Sequence, residues 1–292
     1  MRRLSPANLQ SLHFRRDFTM TRSPYIVDNT DWLKAAAIIL VTIGHFGYFF
    51  IESADWWSVA GRLAAPPFFF MIGYARSRTI PLRWIGLGIA LTLLDSWNND
   101  WDWMALNILI SYVLIRMIRP KVQNFLKAYQ WLAFVTFIGI LLALLPLFSN
   151  IFDYGAAGWL WALLGLCQRM YLERRSLIDD VDTSQRPSAA VCTIPESIGL
   201  MRLLACFVAA VVYLWHEQIE FSFTGVQFTV FLLGTCLMSW SLCLFQRAPS
   251  RIQPGKFMGS ALHFIGRHTL ELYAIPLAGF ELIIGLIPQL AG

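Results

Sequence analysis

The stretch that decides the fold runs from Asp31 to His45 and reads Asp-Trp-Leu-Lys-Ala-Ala-Ala-Ile-Ile-Leu-Val-Thr-Ile-Gly-His. It begins with charged residues and continues as an apolar run that extends to Ile51. This run is long enough to cross a bilayer as a helix. His45 lies well inside it, where a histidine is costly unless it faces protein or a water-filled cavity. His45 is therefore a candidate functional residue.

The polar residues of this stretch also have ordinary structural interpretations. A histidine inside the membrane can bond to a carbonyl group of a neighbouring helix. Lys34 lies near the helix end, from which a lysine can extend to the lipid headgroups. Thr30 and Asp31 are residue types that cap a helix at its N-terminus. The residues alone leave structural and functional roles open.

The composition predicts an all-α, polytopic integral membrane protein. The 292 residues are 57% apolar and 14% charged, and they include 12 Trp and 22 Phe. Soluble domains contain about 25% charged residues. The net charge of +5 comes from basic residues placed where cytoplasmic loops are expected, so no nucleic-acid partner is expected. The five cysteines form no CxxC pair, so we expect neither a disulfide nor a cysteine metal site.

Apolar runs predict nine membrane spans, at about 32–51, 57–75, 80–95, 103–118, 129–149, 155–170, 198–215, 224–245 and 258–288. Pro276 is expected to kink the last span or split it, which would give ten. Lys and Arg fall in alternate loops, which places the N-terminus in the cytoplasm. We predict a basic cytoplasmic tail at 1–30, a membrane domain at 31–292 and a flexible cytoplasmic linker at about 171–197.

Three ionisable residues on three predicted helices reach a similar depth in the outer third of the membrane. The residues are His45, Arg62 and Asp95, and their depths are estimated from a helical rise of about 1.5 Å per residue. Grouping buried charges costs less than burying each one alone. The group is either a reactive site or, for Arg62 and Asp95, an ion pair that only holds helices together.

Three segments resemble one family of membrane enzymes. In the first, Lys34 and His45 are separated by ten residues. The second, 61–74, has prolines, a Phe run and a closing Gly, and the third, 265–273, contains Gly-x-x-Thr-Leu-x-x-Tyr. Together they resemble the acyltransferase-3 superfamily and its TraX relatives, which acetylate the amino terminus of F-type pilin. Pro276 stands where relatives often have a second histidine.

The resemblance implies an enzyme of the bacterial inner membrane that moves an acyl group, most simply acetyl, from cytoplasmic acyl-CoA to an amine or hydroxyl. Acyl-CoA would be a co-substrate, with no bound cofactor and no metal. The acceptor would be a pilin amino terminus or an envelope polysaccharide. Acyl transfer needs a base and a group that stabilises the oxyanion. The catalytic candidates are His45, Arg62 and Asp95, with His45 as the base or as an acylated intermediate. Arg62 would stabilise the oxyanion or hold a substrate carboxylate.

The candidates for acyl-CoA binding are Lys34, Arg76, Arg78, His263, Arg267 and Glu271. Arg76 and Arg78 also have an ordinary interpretation as topology determinants. His263, Arg267 and Glu271 are spaced four apart, so they would lie on one helix face. That face would either line a donor channel or be a structural stripe whose side chains bond to one another.

The competing interpretation is a multi-pass transporter or a membrane scaffold without enzymatic activity. An enzyme requires His45, Arg62 and Asp95 around one cavity with a route from the cytoplasm. A scaffold would have these residues paired and closed off.

Overall fold

The computed structural model describes residues 26–51, 55–77, 79–98, 106–184 and 194–291, and these residues are predominantly α-helical. The predicted all-α fold is confirmed. The first helix, α1, is Asn29–Phe50. Its N-cap is Asp28, two residues before Thr30 and three before Asp31, where caps were expected. Only Asp28 has the extended backbone that a cap requires, and it exchanges hydrogen bonds with Asp31 one turn later.

The second predicted span, 57–75, consists of two helices, α2 (Asp55–Arg62) and α3 (Ala65–Tyr74). Pro66 and Pro67 lie in the first turn of α3, where a missing N–H costs no helical bond. Helix α2 crosses α1 with almost no space between the backbones. A Cβ atom added to Gly44 would lie 2.5 Å from the Cα atom of Gly61. The crossing therefore brings together the next residue of each helix, His45 and Arg62.

Helix α4 is Leu82–Asn98, and the following segment, α5 (Ile108–Ala143), reverses direction at Gln130. A straight helix of its 36 residues would be about 54 Å long. However, the N–H of Leu106, just before the start of α5, donates to the carbonyl of Ile151, which lies beyond its end. The segment therefore cannot be one straight helix. Gln130 has φ 47° and ψ −116°, which ends one arm and starts another. The spans predicted at 103–118 and 129–149 are these two arms, the second extended by α6 (Leu145–Ile151).

Helix α7 (Gly155–Ser184) is the centre of the bundle, and its residues 155–170 are all buried. It packs against α3 so closely that Gly165 faces the Phe70 carbonyl and Gly73 faces the Ala162 carbonyl, with no space for a Cβ atom at either glycine. The helix continues to Ser184, into the segment predicted as a linker from 171. Of that predicted linker, residues 185–193 lie outside the described residues, as does the predicted tail up to residue 25.

The remaining helices are α8 (Ile198–Phe221), α9 (Gly225–Leu244), α10 (Lys256–Arg267) and α11 (Thr269–Ala291). The break in the last predicted span lies at His268, and α11 continues through Pro276. The Thr269 hydroxyl donates to the Ile265 carbonyl at 2.8 Å at this break. Of the two predicted effects of Pro276, splitting the span is therefore wrong, and a kink in α11 stays a prediction.

In the described part of the chain, five helices are long and apolar enough to cross a membrane: Asn29–Phe50, Ile108–Ala143, Ile198–Phe221, Gly225–Leu244 and Thr269–Leu286. Large apolar side chains on α8 and α9 face outward, among them Phe207, Leu237 and Trp240. This exposure fits contact with lipid, and the chain is a membrane protein.

Arg119 and Arg169, which the charge pattern assigns to cytoplasmic loops, are buried in helices instead. Both guanidinium groups donate to the Ala75 carbonyl, just after the end of α3. They satisfy carbonyl groups that a helix C-terminus leaves without partners, and their charge complements the helix dipole there.

Candidate functional site

His45, Arg62 and Asp95 line one cavity of about 690 Å³, which we call the outer cavity. The contact between Gly44 and Gly61 places the first two, and α4 supplies the third from the opposite side. The cavity that an enzyme requires is therefore present. The outer cavity has a mixed polar and acidic lining that also includes Ser58, Thr92, Asn107, Asp153, Glu220 and Glu281.

Arg62 is held mainly by helix α8. Its Nε atom lies 3.5 Å from the carboxylate of Glu217, which is fully buried. The guanidinium carbon lies 4.1 Å from the centroid of the Phe221 ring and 5.1 Å from that of Tyr154. The observed ion pair of Arg62 is thus with Glu217, whereas the sequence interpretation considered Asp95 as its partner.

Asp95 and Glu281, from α4 and α11, both line the outer cavity. The amide of Asn98, also in α4, donates to the Glu281 carboxylate and, at 2.9 Å, to the Glu281 backbone carbonyl. These two bonds hold α4 against α11 at the edge of the outer cavity, where Asp95 and Glu281 place two carboxyl groups.

Asp153 lies in the short loop between α6 and α7. Its carboxylate accepts a hydrogen bond from the N–H of Ile108, at the start of α5, at 3.2 Å. Burial raises the pKa of Asp153 to about 6, and the positive charge of Arg62 opposes this rise. Asp153 thus links the loop after α6 to the start of α5 at the outer cavity.

His45 faces Tyr273, with ring centroids 6.1 Å apart. The Tyr273 hydroxyl accepts a hydrogen bond of 3.4 Å from the side-chain amide of Asn107, which itself caps α5. This arrangement fixes the ring of Tyr273 beside His45. Tyr273, the last residue of the third motif, therefore belongs to the same site as the first motif.

Two further cavities lie toward the opposite end of the bundle. The inner cavity, of about 270 Å³, has apolar walls and four basic residues: Lys34, Arg83, Arg116 and Arg267. The vestibule, of about 970 Å³, has five: Lys34, Arg76, Lys127, Arg169 and Arg247. Lys34, Met71 and Ala75 line both of these cavities. The two cavities are therefore neighbours along one route, with Lys34 between them.

Phe68 and Tyr273 line both the inner cavity and the outer cavity. Phe68 is only partly buried, whereas the next two residues of its Phe run, Phe69 and Phe70, are fully buried in the core. Phe68 and Tyr273 are thus the wall between the two cavities, and His45 lies directly behind this wall.

The predicted acyl-CoA-binding residues are only partly brought together. Lys34 and Arg76 line the vestibule, and Arg267 lines the inner cavity. Lys34 also donates to the Gly266 carbonyl at 2.8 Å. Arg78 lies outside the described residues.

The expected stripe of His263, Arg267 and Glu271 on one helix face is wrong. The break at His268 leaves the first two on α10 and the third on α11. His263 bonds to the Ile26 carbonyl at 3.0 Å, and Glu271 pairs with Arg83 at 2.8 Å. Neither His263 nor Glu271 lines the vestibule or the inner cavity, although Arg83, the partner of Glu271, lines the inner cavity.

Sequence reasoning missed three acids that line the outer cavity, Asp153, Glu220 and Glu281, and it missed Glu217, which pairs with Arg62. Asp153, Glu217 and Glu220 lie between predicted spans, in segments without Lys or Arg that the positive-inside rule places outside, and only the packing of α8 shows that Glu217 is buried. Glu281 had a usable signal, because a carboxylate inside an apolar span is a functional candidate by itself. Among the described residues, no group of three or more His, Cys, Asp or Glu could hold a metal ion.

The fold and the site define an α-helical, multi-pass membrane protein whose polar outer cavity is separated by one aromatic wall from basic cavities. A family model described as TraX protein matches residues 29–232, and the chain belongs to the TraX family. The matched region contains His45, Arg62, Asp95 and Glu217 and ends before α10. No curated protein and no solved structure matches the chain.

Proposed function

We propose that the protein is a membrane acyltransferase that moves an acyl group, most simply acetyl, from cytoplasmic acyl-CoA to an acceptor in the outer cavity. The observation that carries the proposal is the placement of His45, Arg62 and Asp95 around one cavity, behind a single wall from basic cavities. Membership of the TraX family supports it. The motifs of the first and second helices also support a relation to the acyltransferase-3 superfamily.

In this reaction an amine or hydroxyl of the acceptor attacks the thioester carbonyl carbon, and the carbon–sulfur bond breaks. His45 takes the proton of the nucleophile and returns it to the CoA thiolate, so that amide or ester and CoA thiol are the products. Alternatively, His45 attacks first and carries the acyl group to the acceptor. Arg62 stabilises the oxyanion. Asp95, with Glu281, accepts a hydrogen bond from the acceptor and orients it.

The donor would enter through the vestibule and the inner cavity. Lys34, Arg76 and Arg267 would bind its phosphates there, together with Arg78 and the newly identified Arg247. The acyl end would pass the wall of Phe68 and Tyr273 to reach His45. His263 and Glu271 are left with structural roles in this proposal, because their side chains bond elsewhere.

Membership of the TraX family supports the proposed acceptor and location. A pilin amino terminus is the first candidate acceptor and an envelope glycan the second, in the bacterial inner membrane. A transporter or a scaffold remains the competing class, and neither would release CoA from a thioester.

The test is release of free CoA from acetyl-CoA by the purified protein, with hydroxylamine as a small nucleophilic acceptor. The wild-type protein should release CoA, and His45→Ala and His45→Gln should both lower the rate by about 10²–10⁴-fold. Glutamine keeps a hydrogen bond but cannot carry the proton. The matched control is His268→Gln, which is exposed and outside the cavities, and it should stay active.

If His45 has only a structural role, the order of the variants differs. Glutamine would then be tolerated, and alanine would reduce stability by leaving a neighbouring polar group unsatisfied. A His45→Gln protein that releases CoA at the wild-type rate refutes the catalytic role.

A further inference from the structure

Helix α8 carries three residues spaced four apart that all contact Arg62: Tyr213, Glu217 and Phe221. Residues with this spacing lie on the same face of a helix. We propose that this stripe is a cradle that positions Arg62 for acyl transfer. The inference rests on the proposed function, because it assigns positioning residues to the reaction proposed for Arg62.

Each residue of the cradle restrains a different part of Arg62. The Tyr213 hydroxyl donates to the backbone carbonyl of Arg62, at the last residue of α2. The Glu217 carboxylate pairs with Nε at 3.5 Å, and the Phe221 ring covers the guanidinium face at 4.1 Å. Helix α8 thus holds Arg62 at its main chain, at the edge of its guanidinium group and at the face of that group. The guanidinium is thereby kept at the outer cavity, beside His45.

The burial of Glu217 shows that its contact with Arg62 is an integral part of the packed structure and not a chance surface contact. Its side chain is 1% exposed, and neither carboxylate oxygen has a hydrogen-bond partner in the described part of the chain. Its charge is balanced by Arg62 and approached by His216 at 3.6 Å. A buried carboxylate is costly without a close cation, so Glu217 and Arg62 require each other. Glu220, one turn further, is exposed and makes no such contact with Arg62 in the described structure.

The cradle also accounts for the bend between α2 and α3. Helix α2 ends at Arg62, and residue 66, whose N–H would bond to the Arg62 carbonyl in a continuous helix, is a proline without an N–H. That carbonyl needs another donor. Tyr213 supplies it. One hydroxyl therefore satisfies the end of α2 and fixes the residue whose side chain enters the outer cavity.

Glu217→Gln tests the cradle, because the amide keeps the size of the side chain and removes its charge. We expect kcat for CoA release from acetyl-CoA with hydroxylamine to fall about 10²-fold, the scale of a misplaced catalytic group. The KM for acetyl-CoA should not change, because the donor phosphates bind in the other cavities. The control Glu196→Gln removes the carboxylate of an exposed ion pair with Arg174 and should leave both constants unchanged.

A double-mutant cycle separates positioning from stability. In an Arg62→Lys background, Glu217→Gln should cost little further activity, because the group it positions is already changed. If the two losses add in full, Glu217 does not act through Arg62 and the inference is overturned. If Glu217→Gln does not fold, Tyr213→Phe removes only the hydroxyl and should lower kcat at least tenfold with an unchanged KM. A Tyr213→Phe protein with wild-type kcat then overturns the inference.

Failure of the proposed function is a different result. If the wild-type protein releases no CoA, the acyltransferase proposal fails, and the cradle fails with it. If the wild-type protein is active and folded Glu217→Gln has the same kcat, only the cradle is refuted.

Discussion

At the residue scale, the charges of the donor route make a prediction that does not depend on the chemical step. Arg76 in the vestibule and Arg267 in the inner cavity are both exposed to solvent. Replacing each with Gln should raise the Kd for acetyl-CoA about two- to fivefold per arginine, in keeping with the small energies of exposed ion pairs. The effect should shrink as salt rises, because exposed charges are screened. Equilibrium binding by calorimetry at two salt concentrations measures both changes.

The matched control is Arg251→Gln, an exposed arginine that lines none of the three cavities described above. It should bind acetyl-CoA as the wild type does. Equal weakening by Arg251→Gln would mean that only net charge matters, and the donor route through the vestibule would be wrong.

The sequence predicted those site residues that are polar or charged within an apolar run, because the cost of burying them in the membrane can be judged from the sequence alone. His45, Arg62 and Asp95 stand out because each interrupts an apolar run at a countable depth. Glu217 does not, because it lies near the end of an apolar run, where acids are usually solvated. Its burial is decided by Arg62, about 150 residues earlier in the chain. Sequence spacing within α8 shows the stripe of Tyr213, Glu217 and Phe221 but not what the stripe contacts.

At the element scale, the crossing of α1 and α2 makes a prediction about stability. A Cβ atom at Gly61 would lie 2.6 Å from the Cα atom of Gly44. Because Gly44 contributes a backbone atom to this contact, no side-chain rotation can relieve it. Gly61→Ala should lower the free energy of unfolding by about 1–3 kcal/mol, the usual cost of overpacking. It should also lower activity, because the crossing aligns His45 with Arg62. Thermal unfolding in detergent and CoA release measure the two effects.

Gly86→Ala is the control for this substitution. Gly86 is also helical, in α4, and nothing lies within 4 Å of a Cβ atom placed there. Alanine favours helix over glycine, so this variant should be as stable as the wild type or slightly more stable. If Gly61→Ala behaves in the same way, the helices are not in contact at Gly44.

The wall between the inner and outer cavities gives a second prediction at this scale. Phe68→Ala should remove most of one half of the wall and let a small reagent pass. Ser58 lines the outer cavity, so Ser58→Cys, with the native cysteines replaced, reports on access. A membrane-impermeant thiol reagent applied from the cytoplasmic face should label Ser58→Cys only when Phe68→Ala is also present.

Leu270→Ala provides the comparison for the wall, because Leu270 lines the inner cavity but not the outer one. It widens the inner cavity and should not admit the reagent. Labelling of Ser58→Cys from the cytoplasmic face with Phe68 intact would show that the wall lies elsewhere.

The elements themselves were partly predictable. Apolar periodicity located the long helices, since each needs one continuous apolar surface toward lipid. It did not locate the reversal at Gln130 or the break at His268. Neither point carries the proline or glycine signal that a helix end normally shows at that position. Pro276, which carries such a signal, is accommodated within α11.

At the scale of the whole molecule, charge separates the two ends of the bundle. The vestibule and the inner cavity hold eight basic residues: Lys34, Arg76, Arg83, Arg116, Lys127, Arg169, Arg247 and Arg267. The outer cavity holds four acids, Asp95, Asp153, Glu220 and Glu281, besides Arg62 and His45. A polyanionic donor is attracted to the first end and repelled from the second. The positive-inside rule assigns the basic end to the cytoplasm.

This separation predicts a one-sided reaction. CoA and its thioesters do not cross a bilayer, so inside-out vesicles should release CoA from added acetyl-CoA, and sealed right-side-out vesicles should not. Opening the right-side-out vesicles with detergent should restore the reaction, which controls for the amount of active protein. Vesicles carrying His45→Gln give the background rate.

The reverse result would carry its own structural meaning. Release of CoA by sealed right-side-out vesicles would place the basic cavities outside the cell, against the distribution of Lys and Arg. Equal release from both kinds of vesicle would mean that the wall of Phe68 and Tyr273 does not separate the two sides. Only release confined to the cytoplasmic face fits a donor that enters past Lys34 and delivers its acyl group to His45.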